Sequence, residues 1–440
     1  MKIVQITPGS GDSFYCENCL RDEVLVRELR LQGHEVVLVP LYLPMQTDSV
    51  DALTNVPIFF GGVNVYLQQK SALFRKTPRW LDKPFDNRSL LSWASRKSNM
   101  TSARDLGETT LSMLRGERGF QVKELDRLVE WIARDPVRPD VVILSNILLG
   151  GLAAALQHRL GTKVVCLLQD EESFVDSLAD DYGANAWYLL QTCSKHIDAM
   201  VAVSRSYKRR IAGQLGLDET RIQVIRMGID MAAYHPAEGP SENPTIGFLS
   251  RACPERGLGV LVDAFIRLKQ MPELASCRLE VSGGSSEADA QFLRRIRDRL
   301  RDAGVNEDVS FVPDFIGAQR LEWLQKLTVM CVPEQEEAAY GLCAMEALAA
   351  GVPAVQPAIG VFPELISLTG GGILVEENSP QSFAEALKPL LIDPGKAHAL
   401  GRQGRRGMEK HFDVRKTTSE LVGLLKKVVG GIGSKYARTH

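Results

Sequence analysis

The sequence predicts an α/β protein made of two doubly wound domains facing across a cleft. Three observations predict it. Twelve short, largely β-branched runs recur along the 440 residues, and turns and helical patterns separate them. The runs are continuous rather than alternating, as suits parallel strands covered on both faces. The chain is also too long for one ordinary core, so this alternation divides into two units of roughly 200 residues.

The first half holds "KIVQITP" (2–8), "EVVLVPL" (35–41), "DVVILS" (140–145), "KVVCLLQ" (163–169), "AMVAVS" (199–204) and "IQVIRM" (222–227). The second holds "PTIGFLS" (244–250), "RLEVSGG" (278–284), "VSFVPDF" (309–315), "TVMCVPE" (328–334), "PAVQP" (353–357) and "GILVE" (372–376). Helical periodicity is clear in "LRDEVLVRELRLQG" (20–33) and "LGVLVDAFIRLKQM" (258–271). The expected organisation is a first domain over 1–235, a linker over 236–244 and a second domain over 245–412. The linker lies in the polar, proline-bearing "HPAEGPSENP" (235–244). An amphipathic helix over 413–429 is expected to pack back on the first domain, ahead of a frayed tail, 430–440.

The first domain carries an insertion at about 45–135. It interleaves Phe59, Phe60, Tyr66, Phe74, Trp80, Phe85 and Trp93 with Arg75, Lys76, Arg79 and Lys83. A small helical cap with its own core explains this composition, and so does an acceptor-binding or membrane-surface subdomain. The clusters "SRSYKRR" (204–210) and "RRIRDRLR" (294–301) read as solvated helix faces.

Bulk properties narrow the function. A net charge of −2 supplies no basic field for nucleic acid. The N-terminus lacks the apolar core of a signal peptide, and no run is long enough to span a membrane. Eight cysteines are too few for a disulfide scaffold, which favours reduced, buried thiols and a cytoplasmic setting. Cys16 and Cys19 form a Cys-x-x-Cys without a second pair at zinc-site spacing, so packing is the simpler reading beside zinc or redox chemistry.

Gly9 and Gly11 sit in the first strand-to-helix turn, where backbone can approach a donor ligand. Arg251 follows a strand, and Arg256 precedes Gly257 at a helix start. Two guanidiniums there suit a diphosphate. In "EEAAYGLCAMEALAAGVP" (336–353), a helix is expected to start at Tyr340–Leu342 and stop at Gly351, before Pro353. The N–H groups of Gly341 and Leu342 could hold a phosphate. Glu346, one turn on, could accept from ribose hydroxyls, and Glu337 from sugar hydroxyls.

These motifs resemble glycosyltransferase family 4, retaining nucleotide-sugar enzymes of the GT-B fold, which has two Rossmann-like domains. The resemblance runs through "GFLSRACPERGL", "VSGG", the 336–353 stretch, "GVFPELI" and "GGILVEENSPQSFAEAL". It extends more loosely to "DAMVAVSRSYKRRI" and "VIRMGIDMAAYHP" in the first half. It implies a donor held by the second domain, an acceptor held by the first, and no metal ion or other cofactor. Arg251 and Arg256 match the basic pair on the diphosphate, the second of which is usually lysine. Glu346 matches the carboxylate on the ribose.

The chain departs from the family at three places. The family separates two glutamates by seven residues, which here puts Ala338 where the first should stand. Either that carboxylate is lost or Glu337, one residue away, replaces it. Gln169 and Asp170 stand where a histidine often faces the donor sugar, so either could touch the donor sugar or the acceptor. Met227 stands where asparagine is usual.

The expected activity is therefore retaining transfer of a hexose from a nucleoside-diphosphate sugar. Arg251, Arg256 and Glu337 would act in catalysis, and Gly9, Gly11, Gly341, Leu342 and Glu346 in donor binding. The acceptor would be a carbohydrate, a lipid-linked glycan or a small molecule. Peripheral contact at the inner membrane face is left open. A non-catalytic nucleotide-sugar binder is the alternative.

Overall fold

The computed structural model describes residues 1–8, 17–42, 59, 60, 65, 68, 69, 103–179, 181–237, 239, 243–313 and 317–431. They form two compact units. One is drawn from Met1–Gly11, Asn18–Arg226 and Thr418–His440, and the other mainly from Met227–Thr417. Each expected run contains a strand. In the first unit these are β1 (Lys2–Thr7), β2 (Glu35–Pro40), β3 (Val141–Leu144), β4 (Lys163–Leu168), β5 (Ala199–Ala202) and β6 (Ile222–Val224). In the second they are β7 (Thr245–Leu249), β8 (Arg278–Ser282), β9 (Val309–Phe311), β10 (Val329–Cys331), β11 (Ala354–Pro357) and β12 (Gly372–Val375).

The first unit's sheet runs β2-β1-β3-β4-β5-β6 and the second unit's β12-β11-β10-β7-β8-β9. All pairings are parallel, including Val4↔Val142 in the first sheet and Met330↔Gly247 in the second. Parallel neighbours need a crossover, which helices supply here. The second order is the doubly wound arrangement whose strand order reverses between β7 and β10.

Period two along the first sheet decides its core. Ile3, Val36, Leu38, Val141, Ile143, Val165, Leu167 and Val201 form one buried cluster. Val26 and Leu29 of the helix Glu17–Leu31 cover it. So do Leu421, Val422, Leu424, Leu425 and Val428 of the helix Val414–Val429. The amphipathic C-terminal helix is thus a structural part of the first unit, as its apolar stripe predicts.

The domain boundary differs from the expected linker at 236–244, because the second unit already starts at Met227. Backbone pairing explains the shift. Ile229 N–H donates to Phe412 O at 2.9 Å, and Val414 N–H donates to Ile229 O at 2.9 Å. Tyr234 then anchors the segment through its hydroxyl bond to Glu346. Polar, proline-bearing composition marks where a chain can be exposed, but hydrogen bonds decide which core claims the residues before it.

Within the insertion, the described helices are Ala103–Leu114 and Val122–Ala133. Leu125, Leu128, Val129 and Ile132 are buried, and the Phe59 ring meets Trp131 at 5.4 Å, so this part has an apolar core. Tyr66, Phe74, Arg75, Lys76, Arg79, Trp80, Lys83, Phe85 and Trp93 lie outside the described residues. Of the two basic clusters, the helix Ala290–Asp302 buries Leu293, Ile296 and Leu300 and turns its arginines to solvent.

Candidate functional site

In the second unit, the loops that follow β7 and β10 leave adjacent strands at the point of strand reversal. In open parallel sheets this is where ligands bind. Two contacts lock these loops together. Gln335 N–H donates to Glu255 O at 2.9 Å, and Arg256 Nη1 pairs with Glu334 Oε2 at 2.5 Å. Gly257, at φ +74°, permits the approach, because a Cβ there would stand 1.7 Å from Pro333 O. The close approach puts Arg256 at the reversal point and starts the helix Leu258–Lys269.

Arg251 lies on the same loop. Its Nε reaches Asp289 Oδ2 at 2.8 Å, and its Nη2 reaches Asp289 Oδ1 and Ser286 Oγ, both at 2.9 Å. This fork fixes the plane of the guanidinium. Asp289 also forms a capping box with Ser286. Burial works against the Asp289 charge, but the bonds from Arg251 and Ser286 outweigh it and hold the carboxyl below its ordinary range. The same hydrogen bonds to Asp289 strengthen the hold of Arg251 on its proton.

The helix Leu342–Ala349 begins at Gly341, as expected. Gly341 adopts φ +64°, a conformation in which a side chain is strained. A Cβ there would lie 2.7 Å from the buried Phe362 ring. Glycine is therefore required twice at the start of this helix, by conformation and by space.

Glu346 is only 1% exposed. Tyr234 Oη donates to its Oε1, and Arg320 Nε lies 3.1 Å from the same oxygen. Burial and the Glu346 charge both push the Tyr234 hydroxyl well above its usual range, so the phenol stays a donor. Arg405 Nη1 holds Tyr234 O at 2.7 Å and tightens the arrangement. The predicted ribose carboxylate is thus a charge already balanced by a buried arginine.

At the one-residue misfit, Ala338 is buried and Glu337 is exposed. Val361 N–H donates to Ala338 O at 3.0 Å and fixes the loop there. Met227 is buried and packs as an apolar residue. Gly9, Gly11, Cys16 and the Cys19 side chain lie outside the described residues.

In the first unit, Gln169 and Asp170 follow β4. Gln169 is buried and its Nε2 donates to Ser145 O at 3.0 Å, while its Oε1 has no hydrogen-bond partner. Arg21 Nη2 meets the same Ser145 carbonyl at 2.9 Å. Arg21 pairs with Asp22, which accepts from Thr7 Oγ1 at 2.7 Å. Asp170 has φ 52°, the one left-handed non-glycine among the described residues.

Sequence reasoning missed the partners that orient these groups. Ser286 and Asp289 stand in "SGGSSEAD" at capping-box spacing, a signal that was present. Glu334 ends a recognised strand run. Tyr207, whose hydroxyl accepts from Glu171 N–H at 3.0 Å, stands in a cluster whose composition suggests a solvated face. Tyr234 and Arg320 carry no local signal, because they meet Glu346 only through tertiary packing.

Comparison with known proteins adds independent findings. The family described as "Glycosyltransferase Family 4" matches residues 23–233, and that described as "Glycosyl transferases group 1" matches 232–407. A D-inositol 3-phosphate glycosyltransferase of Salinispora arenicola is 27% identical over 253 residues, covering 54% of this chain and 56% of that one. Its counterpart from Kineococcus radiotolerans is 28% identical over 229 residues, covering 48% and 52%. The chain thus spans about half the length of the curated relatives it matches. Sucrose-phosphate synthase from Thermosynechococcus elongatus superposes with a TM-score of 0.71 at 16% identity, covering 98% of this chain and 99% of that one. Anabaena HepE in complex with UDP-glucose gives 0.67 at 14% identity, covering 97% and 100%. At these identities the two structures establish the likeness of fold.

Proposed function

We propose that this chain, which belongs to glycosyltransferase family 4, transfers a hexose from a nucleoside-diphosphate sugar with retention of anomeric configuration. One observation carries the reading. Arg251, Arg256 and the helix start at Gly341 stand on loops of adjacent parallel strands, at the point of strand reversal. Fixed guanidiniums and helix N–H groups there suit the charge that builds on a departing diphosphate. Because these groups supply the charge, the reaction proceeds without a metal ion.

Asp289 and Glu334 act by orienting the arginines, so less side-chain entropy is lost when a diphosphate binds. Glu346 receives the ribose hydroxyls, and the exposed Glu337 meets the sugar. Gln169 and Asp170 touch the donor sugar or the acceptor, and the leaving phosphate takes the acceptor proton. The protein works in the cytoplasm. The relatives' names make D-inositol 3-phosphate the first acceptor to try.

Binding of UDP-, GDP- and ADP-sugars to wild type, Arg251→Ala and Arg256→Ala tests the donor site. Each lost charge-assisted contact should weaken the preferred donor roughly ten- to a hundredfold. Unchanged affinity in both variants refutes it. A second reading, a nucleotide-sugar binder without turnover, is favoured by the buried Ala338 at the family's glutamate position. Release of free sugar from a radiolabelled donor separates the two, because steady turnover excludes the binder.

A further inference from the structure

We propose that Glu171 is a positioning residue, gripping the loops after β3 and β4 and the helix after β5 so that Gln169 and Asp170 keep one arrangement. The inference rests on the reading of Gln169 and Asp170 as donor-sugar or acceptor contacts. Glu171 is 2% exposed. Its Oε1 accepts from Ile147 N–H at 3.0 Å, beyond β3. Its Oε2 accepts from Gln169 N–H at 2.7 Å, at the end of β4. The same oxygen meets Tyr207 Oη on the helix Arg205–Leu215, and Glu171 N–H donates to that hydroxyl at 3.0 Å.

The bond from Gln169 N–H to the Glu171 carboxyl encloses Asp170. It closes a short loop around that residue and holds it in the left-handed conformation that non-glycine residues disfavour. Such strain persists where surrounding bonds over-determine it, and it gathers at functional sites. The strained residue stands at the carboxyl end of a parallel strand, beside the buried Gln169 Oε1 that has no hydrogen-bond partner.

Tyr207 Oη lies within hydrogen-bond distance of Glu171 Oε2 and of Glu172 Oε2, the latter at 2.6 Å. A phenol has one proton, so it can donate to one carboxylate only. The other contact needs a proton on a carboxyl. Arg210 Nη1, 3.2 Å from Glu172 Oε1, favours charge on Glu172. The extra proton therefore belongs on Glu171, which donates it to Tyr207 while Tyr207 donates to Glu172.

Burial agrees. It raises Glu171 to about 7, against the opposing bonds from Tyr207 and Ile147. Burial also raises Glu172, opposed by Tyr207 and Arg210. Among the described residues, the other titratable groups that act on the cluster include Asp170 on the same loop, Cys166 on β4, and Arg21, which acts on Cys166 from the helix Glu17–Leu31. Above neutral pH two carboxylates compete for one phenol proton, and the grip loses its contact with Tyr207 on the helix after β5.

The test uses the full chain. Glu171→Gln can still donate to Tyr207 and accept from Ile147, but it cannot hold Gln169 N–H and cannot ionise. With the UDP-, GDP- or ADP-sugar that wild type turns over best, kcat of E171Q should fall about tenfold or more while donor KM changes less than about twofold. The fall of wild-type kcat as pH rises through neutrality should be absent from E171Q. Infrared titration should show a protonated-carboxyl C=O band in wild type that fades through neutrality and is missing from E171Q. Absence of that band in wild type overturns the proposal, as does E171Q with wild-type kcat and an unchanged pH profile. If wild type turns over no donor, the transferase reading fails, and the infrared band then decides the grip by itself.

Discussion

Replacing Gly341 by alanine probes both the fold and the proposed site. The residue holds φ +64° at the start of the helix Leu342–Ala349. Forcing a residue with a Cβ into that conformation costs about 1–2 kcal/mol. The new Cβ would also lie 2.7 Å from Cε1 and 3.4 Å from Cδ1 and Cζ of Phe362. That ring is fully buried, so displacing it adds about 1–3 kcal/mol of overpacking. The total loss should be about 2–5 kcal/mol.

Gly304→Ala, in the same unit, is the control. Gly304 has φ +71°, but its Cβ would meet nothing within 4 Å, so only the backbone cost of about 1–2 kcal/mol applies. Urea unfolding of both variants isolates the Phe362 contact as their difference. Donor affinity should fall in G341A and hold in G304A, since Gly341 and Leu342 carry the N–H groups assigned to phosphate and Gly304 does not. If G341A costs no more than G304A, the steric argument is wrong. If it binds donor like wild type, the phosphate assignment is wrong.

Further outcomes are expected. Burial lifts Glu171 from 4.5 to about 7, so the folded protein keeps a proton that the unfolded chain releases in that window. The Glu171 contribution to stability should therefore decline as pH rises from 4.5 to about 7 and level off above it, while His34 and His196, which burial holds below the usual histidine range, act in the opposite direction. Denaturant midpoints at several pH values should show wild type losing stability relative to E171Q across that window. Leu425→Ala empties a fully buried position of the first unit's core and should cost about 2–5 kcal/mol in urea unfolding. An effect near zero would remove the C-terminal helix from that core. Cys166, Cys193, Cys253, Cys277, Cys331 and Cys343 are free and buried, so they should react with a thiol reagent only on unfolding.

Much of the fold was legible because burial on both faces of a parallel sheet leaves a local mark, a continuous β-branched run. All twelve runs contain strands for that reason. The start of the 342–349 helix was legible because glycine at its first turn and Gly351 past its end are local punctuation. The domain boundary was not, because Ile229 is claimed by Phe412 and Val414, which lie far along the chain. Nor were the groups that orient the site. The Asp289 fork on Arg251 and the Tyr234–Glu346–Arg320 contact join residues with no fixed sequence spacing.

The sequence by itself determined the strand inventory, the helix starts and the residue types able to meet a diphosphate, since each depends on neighbours within a turn or a strand. Tertiary structure decided which of those residues are exposed, which are already paired, and which proton they share. Glu337 is exposed beside a buried Ala338, Glu346 is balanced by Arg320, and Glu171 shares Tyr207 with Glu172. Burial and charge pairing are sums over everything within a few ångströms, and only the folded chain defines that neighbourhood.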